Sequence, residues 1–287
     1  MPELPEVETV RLQLLHHVVS KTIKAVEVFH AKSVGYDERI EDTLVGKTIE
    51  YIDRVGKLMI FSFAEESDVF VLAHLKMTGQ FFYVANGEVE GGGHSMTAAD
   101  VAELPGRHTR LAISFTDNSH LYFNDMRLFG YFKVADAATV AAARGQFGPE
   151  PIDEQFDVAE FVARVRKRKT PIKAALLDQS LVAGLGNIYV DEALWRSQVR
   201  PTRQANRLTK AEAAAVVTHG GDVMRESIAV GGTTFQHFVD TGGHNGNFTG
   251  YLKVFGKQGT ACERCGTTIK KIRCAGRGTH YCPGCQR

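Results

Sequence analysis

CERCGTTIKKIRCAGRGTHYCPGC, residues 262–285, decides how the end of this chain folds. Cys262 and Cys265 are separated by two residues, as are Cys282 and Cys285, and sixteen residues lie between the pairs. Two such pairs can bring four thiolates to the corners of a tetrahedron, the arrangement a structural zinc ion takes. With four protein ligands, no position remains for water or substrate, so the ion is expected to staple a hairpin rather than to react. Lys270, Lys271, Arg273 and Arg277 fall between the pairs and make that hairpin basic. Cys274 lies outside the spacing and is expected to be a bystander. All five cysteines fall within the last 26 residues. An odd, clustered set with no secretory signal ahead of it argues against a disulfide framework.

Working back from this module, residues 241–251 hold four glycines and almost no aliphatic side chain. Such a segment cannot build a core and is expected to be mobile, able to fold over a ligand. Before it, Thr209 and Glu212 form a capping box that opens a helix ending at Gly231-Gly232. Gly184-Leu185-Gly186-Asn187 reads as a tight turn into a helix over 188–196. Two helices joined this way, with Asn187 at the second N-terminus, suit a DNA-backbone clamp. An ordinary helical hairpin fits the same residues equally well. Arg164–Lys173 carries six basic residues and no acid. A solvated face is the usual meaning, but Thr170 is expected to cap a helix with Pro171 at its first position. Arg168 and Lys173 would then flank a helix N-terminus that can hold an anion.

The first half has a different texture. Val7, Val10, Leu14 and Val18 recur at helical spacing, so residues 5–19 are expected to form a helix packed by one face. Strand-like runs follow at 22–29, 48–54, 58–63, 69–75, 110–115, 120–124 and 130–134. They are β-branched and aromatic and are separated by turn residues, which points to a β-sandwich or flattened barrel. Residues 86–107 are polar and aperiodic and read as a long loop, with His94 a solvated loop residue or a ligand. An Ala-rich stretch ends in Gly148-Pro149-Glu150-Pro151, a plausible linker.

Composition excludes several classes. Apolar residues make up 44% and charged residues 23% of the 287, as in a soluble globular protein large enough for two cores. No apolar run approaches the ~20 residues of a membrane span. A cytoplasmic location without membrane partners is expected. The net charge of +1 hides an asymmetry. Residues 1–150 carry 14 basic against 21 acidic side chains, a net −7, and residues 151–287 carry 20 against 12, a net +8. The second half is the one suited to a polyanion, although opposite charges could also help two domains dock.

The amino terminus, Met1-Pro2-Glu3-Leu4-Pro5-Glu6-Val7-Glu8, carries the chemistry of interest. A small second residue allows removal of Met1 and exposes the secondary amine of Pro2. An α-amino group titrates near ~8 against ~10.4 for lysine, so far more of it is free base near neutral pH. It is therefore a usable nucleophile, and its attack on a carbonyl-like carbon leaves an iminium that acidifies the neighbouring carbon. Glu3 stands next to it as a proton donor. A processed terminus followed by an acidic helix start explains the same residues without any reaction.

Taken together, these pieces resemble the bacterial formamidopyrimidine-DNA glycosylases, which excise oxidised purines such as 8-oxoguanine. The resemblance is collinear over nearly the whole chain. It rests on PELPEVET at the start, HLKMTG at 74–79, DMRLFG at 125–130, GPEP at 148–151, KTPIK at 169–173, GLGNIY at 184–189, GGTT at 231–234 and the four-cysteine finger. It implies an α+β multidomain fold: an N-terminal β-sandwich with flanking helices, then a helical domain with a helix-two-turn-helix and a zinc-finger hairpin. The domains would be a catalytic one at 1–137, a linker at 138–151 and a helical one at 152–240. A lesion-capping loop and connecting strand at 241–256 and the finger at 257–287 would follow.

The resemblance also implies roles. Pro2 would attack C1′ of the damaged nucleotide, Glu3 would assist ring opening, and Lys57 would lie near the reacting sugar and its phosphate. Glu6 and Arg277 fall in the same catalytic set. The base would leave, and β,δ-elimination would cut the strand. Because the target must leave the duplex, Met77, Arg127 and Phe129 would wedge the vacated space. Read without the resemblance, Met77 and Phe129 are core residues. His108, Arg168, Lys173, Asn187 and Arg277 would contact the DNA backbone, and Cys262, Cys265, Cys282 and Cys285 would hold one zinc ion. The partner would be double-stranded DNA carrying oxidised bases or abasic sites, bound by a monomer.

The chain departs from the pattern in four places. Met126 and Leu128 replace the Pro and second Arg usual in DPRR, and Phe255 replaces a tyrosine. Asn247 replaces an aromatic, and the 86–107 loop is longer than usual. These changes leave lesion preference and affinity open. An endonuclease VIII-like enzyme for oxidised pyrimidines would share Pro2, Glu3, Lys57 and the finger, but Leu4 and the full-length capping loop favour the purine branch. A non-catalytic damaged-DNA-binding protein would not need Pro2, Glu3 and Lys57 intact.

Overall fold

The computed structural model describes residues 2–64, 68–92, 103–233 and 248–287. Met1, His94, Asn247 and most of the expected capping loop lie outside the described residues. The chain divides into two compact units, Met1–Arg144 with Val230–Asn247 and Gly145–Ala229 with Phe248–Arg287.

The first unit is a β-sandwich with a helix packed into it. Helix α1 (Leu4–Val18) is followed by β1 (Ile23–Val28), the short α2 (Ile40–Leu44), β2 (Ile49–Val55), β3 (Leu58–Phe63) and β4 (Phe70–His74). Then come β5 (Gly79–Ala85), β6 (Glu88–Gly92), β7 (Thr109–Phe115), β8 (His120–Asp125), β9 (Tyr131–Ala135) and α3 (Ala137–Arg144). One antiparallel sheet runs β1-β7-β8-β5-β6 and the other β2-β3-β4-β9. Rings from both sheets meet in the core. Phe81 and Phe123 of the first lie 5.1 Å apart, Phe61 and Phe132 of the second 5.4 Å, and Phe61 and Phe81 meet at 6.2 Å. Val7, Val10, Leu14 and Val18, the predicted stripe of α1, are buried in this same cluster. Its apolar contacts, at roughly 1.5–3 kcal/mol per large side chain, hold the helix against the sheets.

Two expectations are corrected here. The segment 86–107 is not wholly loop, because β6 lies within it and pairs with β5 along Phe81–Ala85. Strand β6 reads as polar because it is an edge strand, which needs backbone pairing on one side only. Strand β5 escaped the pattern because Gly79–Tyr83 is buried without alternation. Helix α3 occupies the start of the stretch expected to be linker.

The second unit is helical, with a β-hairpin at its end. It contains α4 (Val158–Val165), α5 (Ile172–Leu177), α6 (Asn187–Arg196), α7 (Lys210–Ala229), β10 (Lys270–Cys274) and β11 (Arg277–Tyr281). The α5–α6 connection makes two turns. One is built on Asp178, whose carbonyl accepts from the Leu181 and Val182 N–H groups at 2.9 and 3.2 Å. The other is held by Gln179, which accepts from Gly184 N–H and donates to the Leu185 carbonyl. The Thr209–Glu212 capping box opens α7 as expected, with reciprocal bonds of 3.1 and 2.8 Å.

Candidate active site, nucleic-acid interface and metal centre

The amino-terminal site is built from the start of α1. Pro2 is half-buried and precedes Glu3, the extended residue that caps the helix. Glu3 and Glu6 make a reciprocal capping box, with Glu3 N–H donating to Glu6 Oε2 at 2.8 Å. Glu6 Oε1 accepts from both the N–H and the hydroxyl of Thr233, at 2.9 and 2.7 Å. Both oxygens of this buried carboxylate are thus committed. Glu6, expected among the catalytic residues, ties the helix start to Thr233.

Lys57 is nearly buried at the start of β3, just after the Gly56 turn. Its neighbourhood includes His74. Burial, and then the charges of Lys76 and Lys57, push the His74 imidazole down to about 3. Nδ1 of that ring accepts the Lys76 N–H at 3.0 Å, a bond that only the unprotonated nitrogen can make.

The residues expected to form the wedge come together. Arg127 Nη1 lies 3.2 Å from Met77 Sδ, and its guanidinium stands over the Phe129 ring at 4.8 Å. Met77 and Phe129 are 38% and 47% exposed, so neither is a core residue. Asp125, fully buried at the end of β8, organises the loop that carries two of the three. Its Oδ1 takes the Thr78 hydroxyl and the Arg127 N–H, and its Oδ2 takes the Phe129 and Gly130 N–H groups at 2.8 and 2.6 Å. These bonds hold Leu128 at φ +57°, a left-handed conformation that a bulky side chain adopts only under constraint. On the Met77 side, Gly79 closes a turn by donating to the Leu75 carbonyl at 2.8 Å. A Cβ at Gly79 would meet that oxygen at 2.6 Å. His108 is half-buried, and its carbonyl accepts the Asp125 N–H at 2.9 Å, next to the wedge loop.

In the second unit, Lys173 is a correction. It is fully buried and pairs with Asp191 at 2.7 Å, so its charge is satisfied inside the protein and is not presented to phosphate. The helix N-terminus beside it is no anion site either. Pro171, not Thr170, occupies the cap, and α5 is six residues long. The Ile172 and Lys173 N–H groups donate to the Arg203 and Pro201 carbonyls. Arg168 is exposed and pairs with Asp178 at 3.2 Å. Asn187 opens α6 and donates to the Gly278 carbonyl at 3.0 Å, next to the exposed Arg277 of β11.

Cys262, Cys265, Cys282 and Cys285 are brought together as the spacing predicts, all four sulfurs lying within 4.8 Å of one another. Zn–S bonds of ~2.3 Å in a tetrahedron put sulfurs ~3.8 Å apart. The Cys262–Cys285 and Cys265–Cys282 separations of 3.9 and 3.4 Å suit that ion. Trp195 Nε1 donates to Cys262 Sγ at 3.4 Å, and Arg264 stacks over the indole at 4.0 Å. Cys274 is buried apart from the four, near the Pro201 carbonyl.

Two buried carboxylates of α6 were missed from the sequence. Asp191 Oδ2 accepts the His280 N–H at 2.8 Å, and Glu192 accepts the Lys253, Val254 and Phe255 N–H groups at 2.8–2.9 Å. Burial pushes the Glu192 carboxyl up against the pull of those three donors. The available signal was YVDEALW, two acids inside an apolar helical run, which implies partners in the interior.

Family comparisons agree with this geometry. Residues 1–132 match the formamidopyrimidine-DNA glycosylase N-terminal domain, 147–239 its H2TH domain, and 259–287 the zinc finger found in FPG and IleRS. Formamidopyrimidine-DNA glycosylase of Lactiplantibacillus plantarum is 41% identical over 291 residues, covering all of both chains. That of Corynebacterium aurimucosum is 40% identical over 294 residues, covering all of this chain and 96% of the relative. Among solved structures, Lactococcus lactis Fpg in complex with abasic-site DNA superposes with a TM-score of 0.86 at 35% identity, both chains fully covered. MutM in complex with DNA containing carbocyclic 8-oxo-G gives 0.85 at 34%, again with full coverage. The chain belongs to the formamidopyrimidine-DNA glycosylase family.

Proposed function

We propose that this chain is a bifunctional DNA glycosylase and AP lyase that removes oxidised purines, 8-oxoguanine and formamidopyrimidines, in base excision repair. The observation that carries the reading is the start of α1. There Pro2 stands directly before a buried Glu3–Glu6 capping box, in the unit that also holds Lys57 and the joined Met77–Arg127–Phe129 wedge.

In the reaction, the free-base Pro2 amine attacks C1′ of the flipped nucleotide, and the C1′–N bond breaks with its electron pair leaving on the base. Glu3, next to the amine, supplies the proton that opens the sugar. The resulting iminium acidifies C2′. Loss of that proton expels the 3′ phosphate, and a second elimination expels the 5′ phosphate. Lys57 holds the sugar and its phosphate. His74 beside it stays neutral and can donate a hydrogen bond through Nε2 without competing for the role of cation.

Met77 and Phe129 fill the space left in the stack, and Arg127 meets the orphaned base. Arg277, Asn187, Arg168 and His108 contact the DNA backbone. The four cysteines hold one zinc ion, which supplies structure only; no described helix is long and apolar enough to cross a membrane. The protein acts as a monomer on duplex DNA in the cytoplasm.

Borohydride reduction in the presence of an 8-oxoguanine duplex tests this reading. The native chain should give a covalent adduct. Pro2→Gly should lose most of the adduct and most strand cleavage while keeping duplex affinity. Full trapping by Pro2→Gly would reject Pro2 as the nucleophile.

A further inference from the structure

We propose that Glu8 is a positioning residue for Lys57, acting through Arg54 and the Gly56–Lys57 peptide; this rests on the reading of Lys57 given above. The parts of the chemistry come from separate elements. Pro2 and Glu3 stand at the start of α1, while Lys57 follows the turn between β2 and β3. A run of charge-assisted hydrogen bonds joins them.

Glu8 Oε2 accepts from Arg54 Nε at 2.7 Å, and Arg54 Nη1 donates to the Gly56 carbonyl at 2.9 Å. That carbonyl belongs to the peptide bond whose nitrogen is that of Lys57. Arg11 braces the same carboxylate, donating to Oε1 at 2.6 Å and Oε2 at 3.0 Å, and reaches the Ile52 carbonyl at 3.0 Å. The side chains of Arg54, Glu8 and Arg11 are 7%, 12% and 13% exposed, so water screens the cluster poorly.

The chemistry of each member suits a positioning device. An arginine presents several donors in a fixed fork, so Arg54 can bind a carboxylate with one nitrogen and a carbonyl with another. A lysine ammonium lacks that rigid fork. Gly56 has φ +58°, and its turn gains a fixed point from the guanidinium. Burial by itself would raise the Glu8 carboxyl, but Arg11 and Arg54 outweigh it and hold it below its ordinary value. Glu8 is therefore an anion at neutral pH. A helix-dipole role would need no such bracket of two arginines, nor a link onward to the turn.

Glu8→Gln and Arg54→Lys, each alone and each combined with Lys57→Ala, test the relay. Single-turnover base release, borohydride trapping, duplex affinity and melting temperature would be measured for each. Glu8→Gln should slow the single-turnover step about tenfold, as expected for a slightly misplaced group, with duplex affinity little changed. Arg54→Lys should do the same, and neither should slow Lys57→Ala further, because residues acting as one unit are not additive. Val10→Ala, a core truncation on the same helix, serves as the folding control and should lower the melting temperature without slowing the chemistry. If Glu8→Gln adds its full loss on top of Lys57→Ala, or if Val10→Ala slows release as much as Glu8→Gln does, the relay is overturned while Lys57 keeps its role. If Lys57→Ala is itself as fast as the native chain, the reading of Lys57 falls and the relay falls with it.

Discussion

The wedge loop and the zinc hairpin both offer cations to the outside, but different physics holds each one in shape. Between Asp125 and Gly130, a single buried carboxylate collects one hydroxyl and three backbone N–H groups and so dictates the path of the chain. The apolar cluster at the hairpin is small, made of Trp195, Val254, Cys262, Ile269 and Cys282. The hairpin is held by four clustered thiols and by the buried Lys173–Asp191 pair beneath β11. A wedge must keep a particular form inside a distorted duplex, whereas a phosphate contact only needs a cation at roughly the right place. The first task suits a fixed loop whose one guanidinium leans on a thioether and a ring. The second suits exposed side chains on a stapled strand, such as Lys270, Lys271, Arg273 and Arg277.

The largest effect expected from breaking this contrast is on the staple. Chelation, or Cys282→Ser, should remove the ion and abolish most duplex affinity, with Cys274→Ser leaving the metal content unchanged. The single tryptophan, Trp195, donates to Cys262, so its fluorescence should change in step with metal loss. A chain that kept full affinity without metal would break the account of the hairpin.

Two buried charges come next. Lys173→Met strands the Asp191 carboxylate in the interior and should cost ~3–5 kcal/mol of stability in denaturant melts. Asp125→Asn should cost ~2–4 kcal/mol, since an amide cannot accept on both sides and four donors compete for what remains. The two should differ in function. At temperatures where both are folded, Asp125→Asn should retain binding to undamaged duplex and lose lesion capture. A uniform loss on both duplexes would mean that Asp125 does not govern the wedge.

Smaller effects separate contact types. Arg277→Ala should lower affinity for damaged and undamaged duplexes alike and reduce the salt slope by about one unit. Arg127→Ala should act chiefly on damaged duplex and change the preference for the opposite base, by ~1–3 kcal/mol at the affected base. Leu128 offers no second guanidinium to compensate. Identical salt slopes and identical losses on every opposite base would make Arg127 one more phosphate contact.

The smallest expected effect concerns pH. The His74 pKa is about 3 in the folded chain and near 6.5 when unfolded, so the unfolded state binds the extra proton first. Its unfavourable contribution is absent above about pH 6.5 and grows as pH falls toward 3. His74→Gln should therefore lose less stability than the native chain between pH 7.5 and 5. Equal losses would show that His74 is not held neutral.

Much of this molecule is readable in the sequence, but unevenly. The metal centre is legible because ligand type, number and spacing determine it, with no need for long-range information. The α1 stripe and most strands follow from periodicity. Strand β5 does not, because a strand buried on both faces shows no alternation, and β6 does not, because a paired edge can be polar. Lys173 was misread because charge is visible in sequence and burial is not. Its partner Asp191 lies 18 residues on, within an apolar helical run that implies an interior partner without saying which one. The same blindness hid Glu192, and it concealed that Thr233 engages one oxygen of Glu6. In each case the missing knowledge is which distant donor meets a carboxylate.

The central claim is that the amine of Pro2 forms the covalent bond to the sugar. The most direct test is to reduce the complex of the native chain with an 8-oxoguanine duplex using borohydride, digest it, and map the modified peptide by mass spectrometry. The account predicts that Met1 is absent and that the deoxyribose remnant is carried on the nitrogen of Pro2. A remnant mapped to Lys57 or to any other lysine, with Pro2 unmodified, would contradict it.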